Sequence, residues 1–210
     1  CQSAMVIAEA AQNEITLLPD LAPTLPPEAA GLLFKDAISP RPLQKVLTLL
    51  RHIDYAYQQS GTHCSHSRLA LANAAVLASN LRFAPEVSVA RKHKPDAQVV
   101  DLWLDQISTM AKDLSTLQGM ASVTQPAVVH LGDARQSHQY LAPGSIDIVI
   151  TSPPYPNEKD YTRTTRLESV LLGFLENKAG LQAVKHDLVR SNSRSVYHDD
   201  NDDRWIQNYP

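Results

Sequence analysis

The stretch that decides the fold is Ile146-Asp147-Ile148-Val149-Ile150-Thr151-Ser152-Pro153-Pro154-Tyr155. Its first half is rich in apolar β-branched residues, has the length of a strand and ends in turn residues. A nearly unbroken apolar run is typical of a strand that is buried on both faces, as in a parallel sheet. The stretch therefore predicts a buried strand that leads directly into a rigid proline turn.

A second strand is predicted at residues 127–131, where Ala-Val-Val-His-Leu is closed by Gly-Asp. Residues 134–145 leave room for a short crossover helix between the two strands, and further helices are predicted at residues 162–176 and 181–190. Strands that alternate with helices indicate α/β architecture. Because two strands do not make a stable sheet, we expect further strands from outside these 210 residues.

The region before residue 126 is predicted to be mainly helical. Helices are expected at residues 1–12, 39–58, 65–81 and 96–117. Residues 83–95 form the connection between the last two. The apolar positions that keep helical spacing in the last three are Leu43, Val46, Leu47, Leu50, Ile53 and Tyr57, then Leu69, Ala72, Val76 and Leu77 with further alanines for close packing, then Val99, Leu102, Trp103, Ile107, Met110 and Leu114. The chain thus divides into a helical region, residues 1–125, and an α/β region, residues 126–210.

Composition limits the classes of function. The chain is 43% hydrophobic and 20% charged, as in ordinary globular proteins, and no apolar run is long enough for a membrane span. It has 7 glycines and 14 prolines and no G-x-G, which argues against a nucleotide loop within it. Two cysteines without an export signal fit a reducing, cytoplasmic setting. The net charge of −3 does not itself indicate nucleic-acid binding, but local charge matters more than the sum.

The proline turn suits chemistry on an amine of a nucleobase. Ligands of open α/β sheets bind beyond the carboxyl ends of strands, where this turn lies. An exocyclic base amine is a poor nucleophile because its lone pair is conjugated into the ring. Acceptors on its two N–H bonds, here the Ser152 side chain and the Pro153 carbonyl, would free that lone pair. Tyr155 would stack on a base that has left the duplex.

Residues 151–155 resemble the catalytic motif of the amino-group DNA methyltransferases, which use S-adenosylmethionine to methylate cytosine N4 or adenine N6. His-Leu-Gly-Asp-Ala-Arg at 130–135 is similar to a strand end of that family, where an acidic residue approaches the cofactor adenine. Residues 156–168 resemble the continuation in one bacterial subgroup, in which a long helical stretch comes before the Gly-Asp-Ala strand. The resemblance covers residues 126–176 well.

This resemblance implies part of a Rossmann-like class I methyltransferase sheet with a large helical insertion. It implies that DNA is the partner and S-adenosylmethionine the cofactor, and the serine before Pro-Pro-Tyr favours cytosine N4 over adenine N6. The residues to which it assigns roles are Ser152, Pro153, Pro154 and Tyr155 in catalysis, Asp133 and Thr151 at the cofactor, and Lys159, Arg163 and Arg166 at DNA phosphates.

The chain departs from the family in one respect. The family binds its cofactor through an F-x-G-x-G type loop after the first strand, and this sequence has no such loop. We expect the loop upstream of Cys1 and later strands beyond Pro210, so the remainder of the same chain, or further subunits, would be partners. A split enzyme or a degenerate relative is the alternative.

Other interpretations stay open at several positions. Asp133 also fits a turn or a helix N-cap. The basic run at residues 91–94 fits a solvated loop better than a phosphate contact. His63, Cys64 and His66 lack the paired ligands of a zinc site, so no metal is expected. The competing functions are a non-catalytic subunit that binds nucleic acid or protein, and an RNA base methyltransferase.

Overall fold

The computed structural model describes residues 2–18, 23–60, 65–84, 86–120, 127–152 and 161–188. The helices are α1 (Gln2–Leu17), α2 (Pro27–Ala30), α3 (Pro40–Ser60), α4 (Ser65–Ala78), α5 (Val99–Met120), a 3₁₀ helix (Ala134–Gln139), α6 (Tyr161–Thr164), α7 (Arg166–Leu171) and α8 (Lys178–Asp187). Two strands, β1 (Leu81–Arg82) and β2 (Ser88–Val89), pair antiparallel, with Leu81 opposite Val89. None of the described helices combines the length and the apolarity that a membrane crossing requires.

The predicted Rossmann-like α/β sheet is wrong. The described chain is mostly helical, and the sheet within it has two strands of two residues each. Residues 127–131 and 146–151 lie in no strand, and Leu131 and Ile150 are 100% and 93% exposed. A strand is stable only when neighbouring strands bond its N–H and C=O groups. Among the described residues no strand pairs with these two stretches, so β-branched composition alone predicted the wrong structure.

Four helices, α1, α3, α4 and α5, build the core of one compact unit, which spans Cys1–Ala121 and Arg163–Leu181. The predicted apolar stripe of α3 is confirmed at Val46 and Ile53, which are buried, whereas Tyr57 is largely exposed. The stripe of α5 is confirmed near its start, where Trp103 is fully buried, but Leu114 is exposed. The helical part of the sequence prediction therefore holds, with errors at helix ends.

Alanines form the buried face of α4, and the predicted stripe on that helix is wrong. Leu69 and Leu77 of the predicted stripe are 54% and 48% exposed. The residues that are buried instead are Ala70, Leu71, Ala74, Ala75 and Ala78. Small side chains let the backbones of packed helices approach closely, and α4 makes extensive contacts with α3 and α5. Burial on α4 thus follows the close helix spacing rather than the size of the apolar side chain.

The helix predicted at residues 162–176 is divided into α6 and α7. Gly173 ends α7 with φ at +79°, and its N–H donates to the Val170 carbonyl while the N–H of Phe174 donates to that of Ser169. This pair of bonds is the Schellman pattern, which needs a residue in the left-handed region and so favours glycine. Leu167 and Leu171 of α7 join the helical core, so this segment belongs with the helices that precede residue 122.

Candidate functional site

The second compact unit, Ser122–Thr162 with Gln182–Pro210, contains most of the predicted site. Its described part between residues 127 and 152 consists of two stretches without regular secondary structure and the 3₁₀ helix between them, where a crossover helix was predicted. Asp133 is the N-cap of this helix, because its carboxylate accepts a hydrogen bond from the Arg135 backbone N–H at 2.9 Å. An aspartate at this position satisfies a backbone donor that has no partner within the helix.

The Asp133 carboxylate is also held by the guanidinium of Arg135. Arg135 Nε lies 3.0 Å from both carboxylate oxygens, and Nη2 lies 2.8 Å from Oδ2. Arg135 Nη2 further donates to the Asp187 carbonyl at 3.2 Å. A carboxylate offers about four acceptor positions, and three donors of Arg135, the backbone N–H, Nε–H and Nη2–H, are directed at them. In this arrangement most of the hydrogen-bonding capacity of the Asp133 carboxylate is used by Arg135.

Gly132 is in close contact with an aromatic ring. A Cβ placed on Gly132 would overlap the end of the Tyr140 side chain, so a larger residue at this position would require the ring to move. The Tyr140 ring also lies 5.4 Å from the His130 ring, centroid to centroid. Tyr140 therefore packs over the turn that precedes Asp133, and the glycine of the Gly-Asp-Ala sequence serves this contact.

The start of the proline motif is open to solvent. Thr151 and Ser152 lie in the second irregular stretch and are both exposed. The chain reaches them through a turn in which Gly144 has φ at +71° and the Ser145 hydroxyl donates to the Ala142 carbonyl at 2.7 Å. The predicted site residues Pro153, Pro154, Tyr155 and Lys159 lie outside the described residues.

Arg163 and Arg166, which were predicted to contact DNA phosphates, belong to the helical unit. Asp133, Thr151 and Ser152 belong to the second unit. The guanidinium carbon of Arg163 lies 5.3 Å from the centre of the Phe34 ring, within range of a cation–π interaction. Arg166 is buried and donates to the Leu32 carbonyl at 3.5 Å. Both side chains thus have structural contacts of their own, and their role at DNA stays a prediction.

Sequence reasoning missed Arg135 as the partner of Asp133. The signal was an aspartate two residues before an arginine at a helix start, a spacing that permits both an N-cap and an ion pair. The described residues contain no group of three His, Cys, Asp or Glu side chains that could hold a metal ion. His63 and Cys64 lie outside the described residues. Comparisons of the chain with protein-family models, with curated proteins and with solved structures found no match.

Proposed function

We propose that this chain carries the base-handling part of a DNA amino-group methyltransferase, with the N4 amine of cytosine as the favoured target and the N6 amine of adenine as the alternative. The observation that carries the proposal is the motif at residues 151–155, preceded by the Gly-Asp-Ala sequence at 132–134. The exposure of Thr151 and Ser152 supports it, since a motif that handles a flipped base must be reachable from solvent. The proposal places the chain in the cytoplasm, where its cysteines stay reduced.

The proposed role of the motif is to hold and activate the base amine. The Ser152 hydroxyl and the Pro153 carbonyl would accept hydrogen bonds from the two amine N–H groups, which shifts the nitrogen lone pair out of conjugation with the ring. Proline contributes a fixed φ and lacks a competing N–H. Tyr155 would stack on the extruded base and offset part of the cost of unstacking it.

S-adenosylmethionine would supply the methyl group. The described residues do not fit this cofactor by themselves, because the Asp133 carboxylate is engaged by Arg135 and the sequence holds no G-x-G loop. The proposal therefore assigns the base side of the reaction to this chain, and the main cofactor contacts to residues outside the part that the structure describes.

Methyl transfer to DNA tests the proposal. Purified protein would be incubated with duplex DNA and S-adenosylmethionine labelled in its methyl group, and the modified nucleoside identified by mass spectrometry. Tyr155→Ala should weaken productive base binding by roughly 5- to 150-fold, the range that aromatic–base stacking supplies. Tyr55→Ala is the matched control, because Tyr55 is an exposed tyrosine on α3. Transfer that is insensitive to Tyr155→Ala contradicts the assigned role.

A non-catalytic nucleic-acid-binding subunit is the second candidate. Two observations favour it, namely the engagement of the Asp133 carboxylate by Arg135 and the absence of a glycine loop from the sequence. Isothermal titration with S-adenosylmethionine separates the two functions, because the enzyme must bind the cofactor and the subunit need not. Arg135→Gln sharpens the test, since it frees acceptor positions on Asp133. Stronger cofactor binding by this variant supports Asp133 as a cofactor contact.

A further inference from the structure

A short basic loop between β2 and α5 carries charge opposite to that of the whole chain. Residues 90–94 contain three Lys or Arg residues and no Asp or Glu, a net charge of +3, while the complete chain carries −3 and the remainder therefore −6. Charges farther apart than about 8 Å are largely screened at physiological ionic strength. A ligand at this loop therefore experiences the local positive charge rather than the negative total.

The loop is held at both ends by one buried residue. The Ala90 N–H donates to the Asn80 carbonyl at 2.8 Å, and the Lys94 N–H donates to Asn80 Oδ1, also at 2.8 Å. Asn80 is only 2% exposed. The backbone on both sides of residues 91–93 is therefore held before a ligand binds. Binding does not have to supply this order.

One basic side chain of the loop forms a hydrogen bond within the fold, whereas two others are exposed and could contact a ligand. The Lys94 ammonium donates a hydrogen bond to the Leu77 carbonyl near the end of α4, at 2.6 Å. Arg91 and Lys92 are exposed, and within the described part of the chain their side chains form no hydrogen bond or ion pair. The loop thus presents free positive charges on a fixed backbone.

We propose that the basic loop, residues 90–94, is a binding surface for the phosphate backbone of double-stranded DNA. A duplex carries about one negative charge per 1.7 Å of its axis, so the exposed cations of the loop would each find a phosphate as partner. An anionic membrane is a poorer fit, because recognition there uses clusters of about four to eight Lys or Arg residues. Backbone contacts of this kind position a protein on DNA without reading its sequence. The choice of DNA rests on the proposed function, whereas the anchoring and the charge do not.

The salt dependence of DNA binding tests this surface. Anisotropy of a labelled duplex would be measured with the full chain between about 50 and 200 mM NaCl, and each phosphate contact adds about 0.9 to the slope of log K against log salt. The double variant Arg91→Ala/Lys92→Ala should lower that slope by about 2 and weaken binding by roughly tenfold at the lowest salt. Its circular dichroism should match the parent, since both side chains are exposed.

The matched control is Lys35→Ala/Lys112→Ala, which removes the same charge from two exposed lysines outside the loop. Its slope should equal that of the parent. Equal losses in both variants, no binding of duplex DNA by the parent, or stronger loop-dependent binding to duplex RNA or to phosphatidylserine vesicles would each overturn the inference. Loop-dependent DNA binding without methyl transfer contradicts only the proposed catalysis, and methyl transfer that is unaffected by the loop variant contradicts only this surface.

Discussion

Asn80 Nδ2 donates to the backbone carbonyl of Asp36 at 2.9 Å, across 44 residues of sequence. Asp36 has φ at +61°, a conformation that is uncommon for residues other than glycine. The same amide reaches the Ser39 hydroxyl at 3.2 Å, and the Asn80 backbone N–H donates to the Ala37 carbonyl at 2.8 Å. With its two bonds to the basic loop, Asn80 joins the chain before α3 to the chain before α5.

Replacement of Asn80 by alanine should destabilise the helical unit by about 2–4 kcal/mol. The change removes three hydrogen bonds of the buried Asn80 amide, to Asp36, Ser39 and Lys94, each of which contributes about 0.5–1.5 kcal/mol net. Urea denaturation followed by circular dichroism measures the loss. Asn73→Ala removes the same side chain from an exposed position on α4 and should change stability by less than about 0.5 kcal/mol. Equal effects of the two changes would show that Asn80 has no special role.

Trp103 is the second position at which a polar contact lies within the core. It is fully buried on α5, and its Nε1 donates to the Ser67 carbonyl at 2.9 Å, near the start of α4. Trp103→Phe removes the donor and part of the packed volume and should cost about 1–3 kcal/mol in unfolding free energy. Leu114→Ala, at an exposed position of the same helix, should cost much less. A Trp103→Phe protein as stable as the parent would contradict this packing.

Asp96 should stabilise the fold in a pH-dependent manner. Its carboxylate lies 2.6 Å from the buried Lys45 ammonium, and the hydrogen bond from Lys45 holds the pKa of Asp96 below its usual value of 3.8. A lowered folded-state pKa gives stability that is present above the unfolded-state value and is lost as the pH falls through the folded-state value. Asp96→Asn should therefore lower Tm at pH 7, and its difference from the parent should vanish in acid.

Thermal melts of both proteins between neutral and acidic pH measure this effect. Asp113→Asn removes an exposed carboxylate from α5 and should change Tm little throughout. A difference between Asp96→Asn and the parent that persists in strong acid would argue against the ion pair as its cause.

Glu168 on α7 should make the protein less stable as the pH rises, which is the opposite of the effect expected for Asp96. Burial raises its pKa above the usual 4.5, and within the described residues its Oε2 atom is buried without a hydrogen-bond partner. A raised folded-state pKa means that stability is lost as the pH rises from the unfolded-state value through the folded-state value. Glu168→Gln should therefore raise Tm above pH 7 and have less effect near pH 4. Glu176→Gln, which alters an exposed carboxylate, is the control, and equal effects at both pH values would reject the prediction.

Local periodicity predicted the helices because it reports a physical property of the helix itself. The apolar residues from Val46 to Ile53 recur at helical spacing, which places them on one face of α3, and Val46 and Ile53 on that face are buried. On α4 the same reasoning named Leu69 and Leu77, which are exposed, and gave the alanines only an additional packing role, although alanines form most of the buried face. For the stretches at 127–131 and 146–151, a strand needs a partner that the described residues do not supply.

In the candidate site, too, some features follow from the sequence and others depend on tertiary contacts. The order of residues in the motif at 151–155 is a property of the sequence alone, and it carries the chemical hypothesis without reference to contacts. Whether Asp133 is available depends on Arg135, and whether Arg91 is presented on a fixed loop depends on Asn80.

The sequence by itself therefore determined the helical periodicity, the charge of the basic loop and the motif that supports the proposed chemistry. Only the tertiary structure decided which face of α4 is buried, which carboxylate is already paired and which cations stay free. The physical reason is that periodicity and composition act over a few residues, whereas burial and hydrogen-bond satisfaction depend on groups that are distant in sequence, such as Asn80 and Asp36.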